Sequence, residues 1–364
     1  MRVRNISFKN YRNLHEDRLN FSKGINIIYG ENAQGKTNIL EAVWLLTGAR
    51  AFRGTKDKDL ISFGKEFASV KGVVDFKERE NEIKIDFKDK KRTAEVNGIN
   101  RGAATGIIGF FKAVIFSPEH LFLIKGGPEN RRKFIDAAIC QIKPSYTVQL
   151  IRYNKTLKHR NFLLKSIQSK PEFEDMLEIW DKKLSEYAGV IIKERLKYSE
   201  EVSNLAEKLY FEISNGEELK VNYAVQKEIK EMKTEEITEE YLKVLKETRK
   251  NDIFRGTTSQ GPHRDEIDIS INGKSARLFA SQGQQRSAAI AMKLSEAEIA
   301  GKFAKEPPVI LLDDILSELD ERRQNQLFGL AGEAQMIITG CVKPKLKSEF
   351  KGFYVKDGRI FTEE

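Results

Sequence analysis

The run Gly30-Glu31-Asn32-Ala33-Gln34-Gly35-Lys36-Thr37 fits G-x-x-x-x-G-K-[ST] without a departure. The chemistry it implies is the cradling of a triphosphate. Its glycines let backbone N–H groups face phosphate oxygens. A helix opening after Gly35 adds the positive end of its dipole. Lys36 is placed to pair with the β- and γ-phosphates, and the Thr37 hydroxyl to hold Mg²⁺. Asn38 continues the same binding turn. The cofactors expected are therefore ATP and Mg²⁺.

A second constellation lies far along the chain. Val309-Ile-Leu-Leu312 is wholly apolar and ends in Asp313-Asp314. Two acids at the C-terminal end of a buried parallel strand face the ligand in open α/β sheets. Asp313 is read as the residue that orients Mg²⁺, and Asp314 as the base that polarises the attacking water. Asp314 is one methylene shorter than the glutamate more usual at that place.

A third motif precedes a helix. Ala280-Ser281-Gln282-Gly283-Gln284-Gln285-Arg286 resembles the L-S-G-G-Q signature of ABC ATPases, with Gln282 replacing the first glycine. Physically it is another anion-binding helix start: Ser281 can cap and donate, and Gly283 permits close backbone approach. The plainer reading of Ser281 alone is an ordinary N-cap. Ser317-Glu-Leu-Asp320 matches the D-loop that follows the acidic strand in the same superfamily. The resemblance implies that Ser281, Gly283, Gln284 and Asp320 act on nucleotide held by a second copy of the chain.

These residues need a scaffold. Ile25–Tyr29 reads as a strand running into the phosphate loop, and Gly35–Leu46 as a helix with Ile39, Leu40, Val43 and Leu46 at helical spacing. Residues 66–87 alternate like a hairpin, and Asn97-Gly98 marks a tight turn. Ala113–Phe116 reads as a buried strand. From Glu129 to about Lys250 the pattern is mostly helical. Tyr146 to Ile167 and Phe173 to Ile191 form a helical hairpin with short heptad-like seams, a rod of at most some 30–40 Å. Lys227 to Lys250 reads as a solvated helix pair. Alternation returns at Glu266–Ile271, and Met336–Ile338 reads as a neighbour of the acidic strand. The expected architecture is an α/β ATPase head in two parts, 1–125 and 255–364, split by a helical arm at 126–254.

Composition bounds the partners. The 364 residues carry a net charge of +9, which favours a polyanion such as DNA, with solubility as the bland alternative. No apolar run reaches the ~18 residues needed to span a membrane. The two cysteines, Cys140 and Cys341, form no CxxC pair and suggest a reducing cytoplasm. Three basic clusters could meet phosphates: Arg50, Arg53, Lys56 and Lys58; Arg131, Arg132 and Lys133; and Arg152, Lys155, Lys158 and Arg160. Each could equally be a solvated face. No base-reading motif is visible.

The ordered set resembles the RecF family of SMC-like ABC ATPases. The resemblance runs through Phe8-Lys-Asn-Tyr-Arg-Asn13, the phosphate loop, Phe116-Ser-Pro-Glu-His120, Lys125 to Asp136, Gly261-Pro-His-Arg-Asp265, Ser281 to Arg286 and Leu312 to Asp320. It implies an ABC-type (SMC-like) head with a helical insertion and no long coiled coil. It further implies slow ATP hydrolysis, homodimerisation on ATP, and binding of duplex DNA near gaps and junctions. The implied partners are RecR, and RecO in the same pathway, in loading RecA for repair, replication restart and SOS induction. Arg12 is expected near the nucleotide and Glu119 near the Q-loop place. Thr339 stands near the place of the switch histidine, which is absent. His263 lies in a family motif but at a turn. The rival reading is an SMC-like DNA clamp that uses ATP only as a dimerisation switch. An ABC transporter subunit is disfavoured by the missing histidine, and a zinc-hook ATPase by the missing CxxC.

Overall fold

The computed structural model describes residues 1–89, 91–225, 227–316, 324, 327–329, 332–343 and 349–363. The chain divides into two compact units, Met1–Leu121 with Ala289–Glu364, and Phe122–Ala288.

The first unit holds two sheets. One is antiparallel, in the order β2-β1-β4-β5-β6-β7. Its strands are β1 (Arg2–Lys9), β2 (Arg18–Asn20), β4 (Phe67–Phe76), β5 (Arg79–Lys88), β6 (Lys91–Val96) and β7 (Ile99–Ala103). The expected Asn97-Gly98 turn joins the last two, where Val96 faces Ile99 and both turn residues have positive φ. The other sheet runs β15-β14-β3-β13-β12-β8. It comprises β3 (Ile25–Tyr29), β8 (Ala113–Phe116), β12 (Val309–Asp313), β13 (Met336–Gly340), β14 (Phe350–Lys356) and β15 (Arg359–Glu363). All neighbours are parallel except the β14–β15 hairpin. Leu311 pairs with Ile337, so Met336–Ile338 does lie beside the acidic strand. Every residue of β12 is buried, which explains a strand with no polar alternation.

Helix α1 (Lys36–Leu45) joins the two sheets into one core. Ile39, Leu40 and Val43 share a buried cluster with Ile28, Leu311 and Ile337 of the parallel sheet and with Ile6, Val70 and Ile85 of the antiparallel one. Each such side chain contributes about 1.5–3 kcal/mol by leaving water. The helix that follows the phosphate loop is thereby fixed on two faces.

The second unit contains α2 (Phe122–Lys125), α3 (Pro128–Ile142), α4 (Pro144–Ile167), α5 (Leu177–Ser214), α6 (Lys227–Glu231), α7 (Thr234–Arg255) and α8 (Ala276–Phe279). A small sheet, β11-β10-β9, is built from β9 (Leu219–Ala224), β10 (Glu266–Ile271) and β11 (Lys274–Ser275). Helix α9 (Gln282–Ala304) carries the chain from this unit back into the first.

Three expectations change here. The unit ends at 288 instead of 254, because Ile267 and Ile269 of β10 pair with Tyr223 and Val221 of β9. The rod is longer than 30–40 Å. No proline interrupts the 38 residues of α5, which at 1.5 Å each reach about 57 Å. The charged stretch before Lys250 is not a solvated pair throughout: Ile237, Tyr241 and Leu245 of α7 are buried, and α7 packs on α5.

Buried ion pairs bind these helices. Arg160 of α4 is fully buried, with Nε on Asp181 of α5 at 2.7 Å and Nη1 on Asp252 of α7 at 2.8 Å. Arg249 joins Asp181 at 2.8 Å. Arg195 of α5 grips Asp136 of α3 through both oxygens. His263 is structural in its setting. Its Nδ1 meets the Tyr153 hydroxyl at 2.6 Å and its Nε2 the Thr258 carbonyl at 3.0 Å. Burial pushes the imidazole down to about 4.

Candidate functional site

The phosphate loop closes at Gly35, which caps α1 with no side-chain bond. Lys36 is buried, and its ammonium donates to the Gly30 and Glu31 carbonyls at 2.7 Å each. Asn38 donates to Asn13, which in turn donates to the Ala33 carbonyl at 3.3 Å. The C-terminal hairpin holds the loop from the other side. The Asp357 N–H donates to the Gln34 amide oxygen, and the Gly358 N–H to the Gln34 carbonyl at 3.2 Å. This approach requires glycine at two positions. A Cβ on Gly30 would strike the Val355 carbonyl, and one on Gly358, at φ +71°, would strike that of Asn13.

Arg12, next in the chain to the loop-contacting Asn13, is paired with α1. Its guanidinium pairs with the fully buried Glu41 at 2.7 Å and donates to the Thr55 hydroxyl at 2.9 Å. The Tyr11 hydroxyl also donates to Glu41.

The acidic end of β12 meets the loop directly. The Thr37 hydroxyl donates to Asp313 Oδ1 at 2.8 Å across 276 residues of sequence. The Thr339 hydroxyl meets the same oxygen at 2.9 Å and accepts the Asp314 N–H at 3.0 Å. Thr339 is therefore engaged with the acidic pair. Asp314 has a left-handed backbone, φ +52°. Burial pushes the Asp313 carboxyl above its ordinary range, while Thr37, Thr339 and Arg53 oppose that rise. Glu119 is likewise raised by burial, against the pull of Arg53. Exposed Cys341 completes this rim, its thiol 3.1 Å from the Asn32 side-chain oxygen and 4.0 Å from Asp314.

This chemistry fits the expected ion. A hydroxyl and a carboxylate oxygen at one point, beside a loop that offers N–H groups to phosphates, match the oxygen preference of Mg²⁺. That ion usually takes one or two carboxylates together with substrate phosphates. A carboxylate strained by burial is stabilised by a nearby cation.

The signature residues belong to the second unit. Ser281 and Gln284 form a reciprocal cap. The Ser281 N–H donates to the Gln284 side-chain oxygen at 2.8 Å, and the Gln284 N–H to Ser281 Oγ at 3.2 Å. Gln284 also donates to Glu217 at 2.6 Å. So the plain N-cap geometry is present. The cap uses the Ser281 oxygen and leaves the hydroxyl proton to donate. Gly283 sits in the first turn of the same helix. Asp320, with the rest of Ser317–Asp320, lies outside the described residues.

The basic clusters separate. Arg50, Arg53, Lys56 and Lys58 are exposed, as are Arg152, Lys155 and Lys158 on α4. In the second cluster Arg131 and Arg132 are engaged within their own unit, while Lys133 stays exposed. Arg131 is buried and forks onto Glu266 at 2.9 and 3.0 Å, Arg132 donates to the Asp265 carbonyl, and Lys133 pairs with Glu129. Arg160 also leaves the set, since its guanidinium is sealed between Asp181 and Asp252. Alternating charge in sequence did not distinguish these from exposed cations.

The RecF/RecN/SMC N-terminal domain family matches residues 2–354. The chain is 42% identical to the DNA replication and repair protein RecF of Caldanaerobacter subterraneus subsp. tengcongensis, with 100% of both chains covered. It belongs to the RecF family. The solved structure of the recombination mediator protein RecF with ATP, of the RecFOR pathway, is similar at 39% identity and TM-score 0.93, covering 100% of this chain and 97% of that one. An Smc head bound to the C-winged helix domain of ScpA shares the fold at 17% identity and TM-score 0.56, covering 99% of this chain and 97% of that one. This RecF-family chain thus has an ABC-type ATPase head and the family's role in DNA replication and repair. No helix among the described residues is long and apolar enough to cross a membrane.

Proposed function

We propose that the chain binds ATP with Mg²⁺, pairs with a second copy on duplex DNA, and hydrolyses ATP slowly as a switch in recombinational repair. The observation that carries this is the meeting of Thr37 with Asp313 beside Asp314. It joins a phosphate loop to two acids at the ends of parallel strands.

Lys36 would exchange its two loop carbonyls for β- and γ-phosphate oxygens. Gly30 to Gly35 would donate backbone N–H groups, with Asn38 steadying the turn. Thr37 and Asp313 would hold the metal, which when bound neutralises charge on the phosphates. Asp314 would accept a proton from the attacking water. Ser281, Gly283 and Gln284 would complete the partner's site, together with Asp320. A short base and no switch histidine suit slow turnover.

The exposed cations Arg50, Arg53, Lys56, Arg152, Lys155 and Lys158 are the surfaces offered to DNA phosphates. Such binding is non-specific in sequence and weakens steeply with salt. The family resemblance supports a RecR partner, RecO in the same pathway, and a cytoplasmic setting.

Sedimentation with ATP tests the switch. We expect dimers of the parent only when ATP is present, and of Asp314→Asn for longer, with single-turnover hydrolysis slowed at least tenfold. Parental hydrolysis by Asp314→Asn would remove Asp314 as the base. Absence of any ATP-dependent dimer would remove the switch.

A further inference from the structure

We infer that Thr339 is a positioning residue that holds the metal-binding and water-polarising acids in register with the phosphate loop. The inference rests on the ATPase reading above and names a residue that reading does not use.

The geometry is specific. Thr339 closes β13, the strand between β3, which feeds the phosphate loop, and β12, which ends in the acids. It pairs with Ile28 on one side and Asp313 on the other. Its hydroxyl is buried and takes part in two hydrogen bonds at once. As donor it reaches Asp313 Oδ1 at 2.9 Å; as acceptor it takes the Asp314 N–H at 3.0 Å. The Leu312 carbonyl is farther, at 3.4 Å.

Each bond has its own consequence. The first fixes the Asp313 rotamer on the oxygen that Thr37 also uses. Two hydroxyl donors on one oxygen turn that carboxylate toward the loop before any metal arrives. The second bond fixes the peptide at which the chain turns left-handed, φ +52° at Asp314. That conformation is uncommon for a residue other than glycine and needs support from its surroundings. It sets the direction in which the Asp314 side chain leaves the strand. One hydroxyl therefore aligns both acids, and neither valine nor alanine can replace it.

A residue that acts through Asp313 must alter metal dependence. A residue that acts through Asp314 must alter turnover at saturating metal. The experiment compares the parent, Thr339→Val and Thr339→Ser in the full chain. A fluorescent ATP analogue is titrated at fixed concentration against Mg²⁺, and again in chelator. Single-turnover hydrolysis at saturating Mg²⁺ and thermal unfolding are followed on the same samples.

Thr339→Val, nearly the same shape without the hydroxyl, is expected to need roughly tenfold more Mg²⁺ for half-saturation of binding. Its nucleotide affinity in chelator should match the parent. Hydrolysis should fall roughly tenfold to a hundredfold, the range for losing a bond to a charged group. Thr339→Ser should restore both. Parental Mg²⁺ dependence and turnover in a folded Thr339→Val would overturn the inference. So would a folded Thr339→Ser that fails to restore them, since the methyl would then be what matters. If Thr339→Val does not fold, the serine variant decides alone: parental values support the hydroxyl, and altered ones overturn it. A parent that binds no nucleotide would instead overturn the ATPase reading and the inference with it.

Discussion

The parallel sheet of the first unit and the helix crossing of the arm place polar groups in opposite ways. In the nucleotide unit the parallel sheet is apolar through its middle, and its chemistry stands at the strand ends: Thr37, Asp313, Asp314 and Thr339. In the arm the chemistry lies in the interior. Arg160, Asp181 and Asp252 are fully buried at the crossing of three helices. The first arrangement keeps charge where a ligand can use it. The second uses charge to choose which helices meet, since a misplaced buried ion is far costlier than a misplaced leucine.

The sharpest way to break that comparison is Arg160→Ala. It strands Asp181 and Asp252 without their shared cation. The expected cost is about 3–5 kcal/mol of arm stability, read from denaturant unfolding. Arg249 still pairs with Asp181, so Asp252 is the carboxylate left most exposed to the loss. ATP binding measured below the unfolding transition should stay near the parental value. An unchanged midpoint would show that the cluster is decoration.

A second test uses acid. His263 titrates near 4 in the fold against an ordinary 6.5, because burial disfavours its charged form. The unfolded chain therefore binds the proton first. Stability from this group is complete above about pH 6.5 and is lost as pH falls toward 4. The linked loss is on the order of 3 kcal/mol. His263→Gln, which cannot titrate, should flatten the fall in unfolding midpoint between pH 7 and pH 5. The same slope in parent and variant would place the acid sensitivity elsewhere, with half-buried His120 as the next group to examine, since desolvation lowers it too.

What the sequence revealed follows the same division. The phosphate loop, the acidic strand and its neighbour were legible because each is a contiguous run with one meaning. Val309–Leu312 has a single sensible environment, and Lys36-Thr37 a single sensible ligand. The arm was legible only as helical. Its boundary moved because Leu219, Val221 and Tyr223 form a strand whose partner, β10, lies more than 40 residues on. Arg131 and Arg160 read as free cations because no local pattern announces Glu266, Asp181 or Asp252. The C-terminal hairpin was missed for the same reason. Gly358 looks like any turn glycine until its N–H is found on Gln34, and the Thr339 hydroxyl looks idle until Asp313 and Asp314 meet it.

The two helix starts bring the comparison to its finest point. Helix α1 opens on a glycine with no side-chain cap, so its first N–H groups remain available for phosphate. Helix α9 opens on a closed capping box, in which Ser281 and Gln284 answer each other. A capped start has less to offer an anion through its backbone, so the Ser281 hydroxyl proton, beside the Gly283 N–H that the cap does not use, becomes the chief donor to a partner's nucleotide. Ser281→Ala should cost about 1 kcal/mol as a lost cap and should also abolish ATP-driven dimers. Ser281→Asn, an equally good cap, should return the stability, because its side-chain oxygen can take the Gln284 N–H. Its longer, planar amide cannot put a proton where the hydroxyl had one, so dimers should stay absent. If Ser281→Asn dimerises as the parent does, capping is all that Ser281 contributes, and the second helix start differs from the first only in how it is closed.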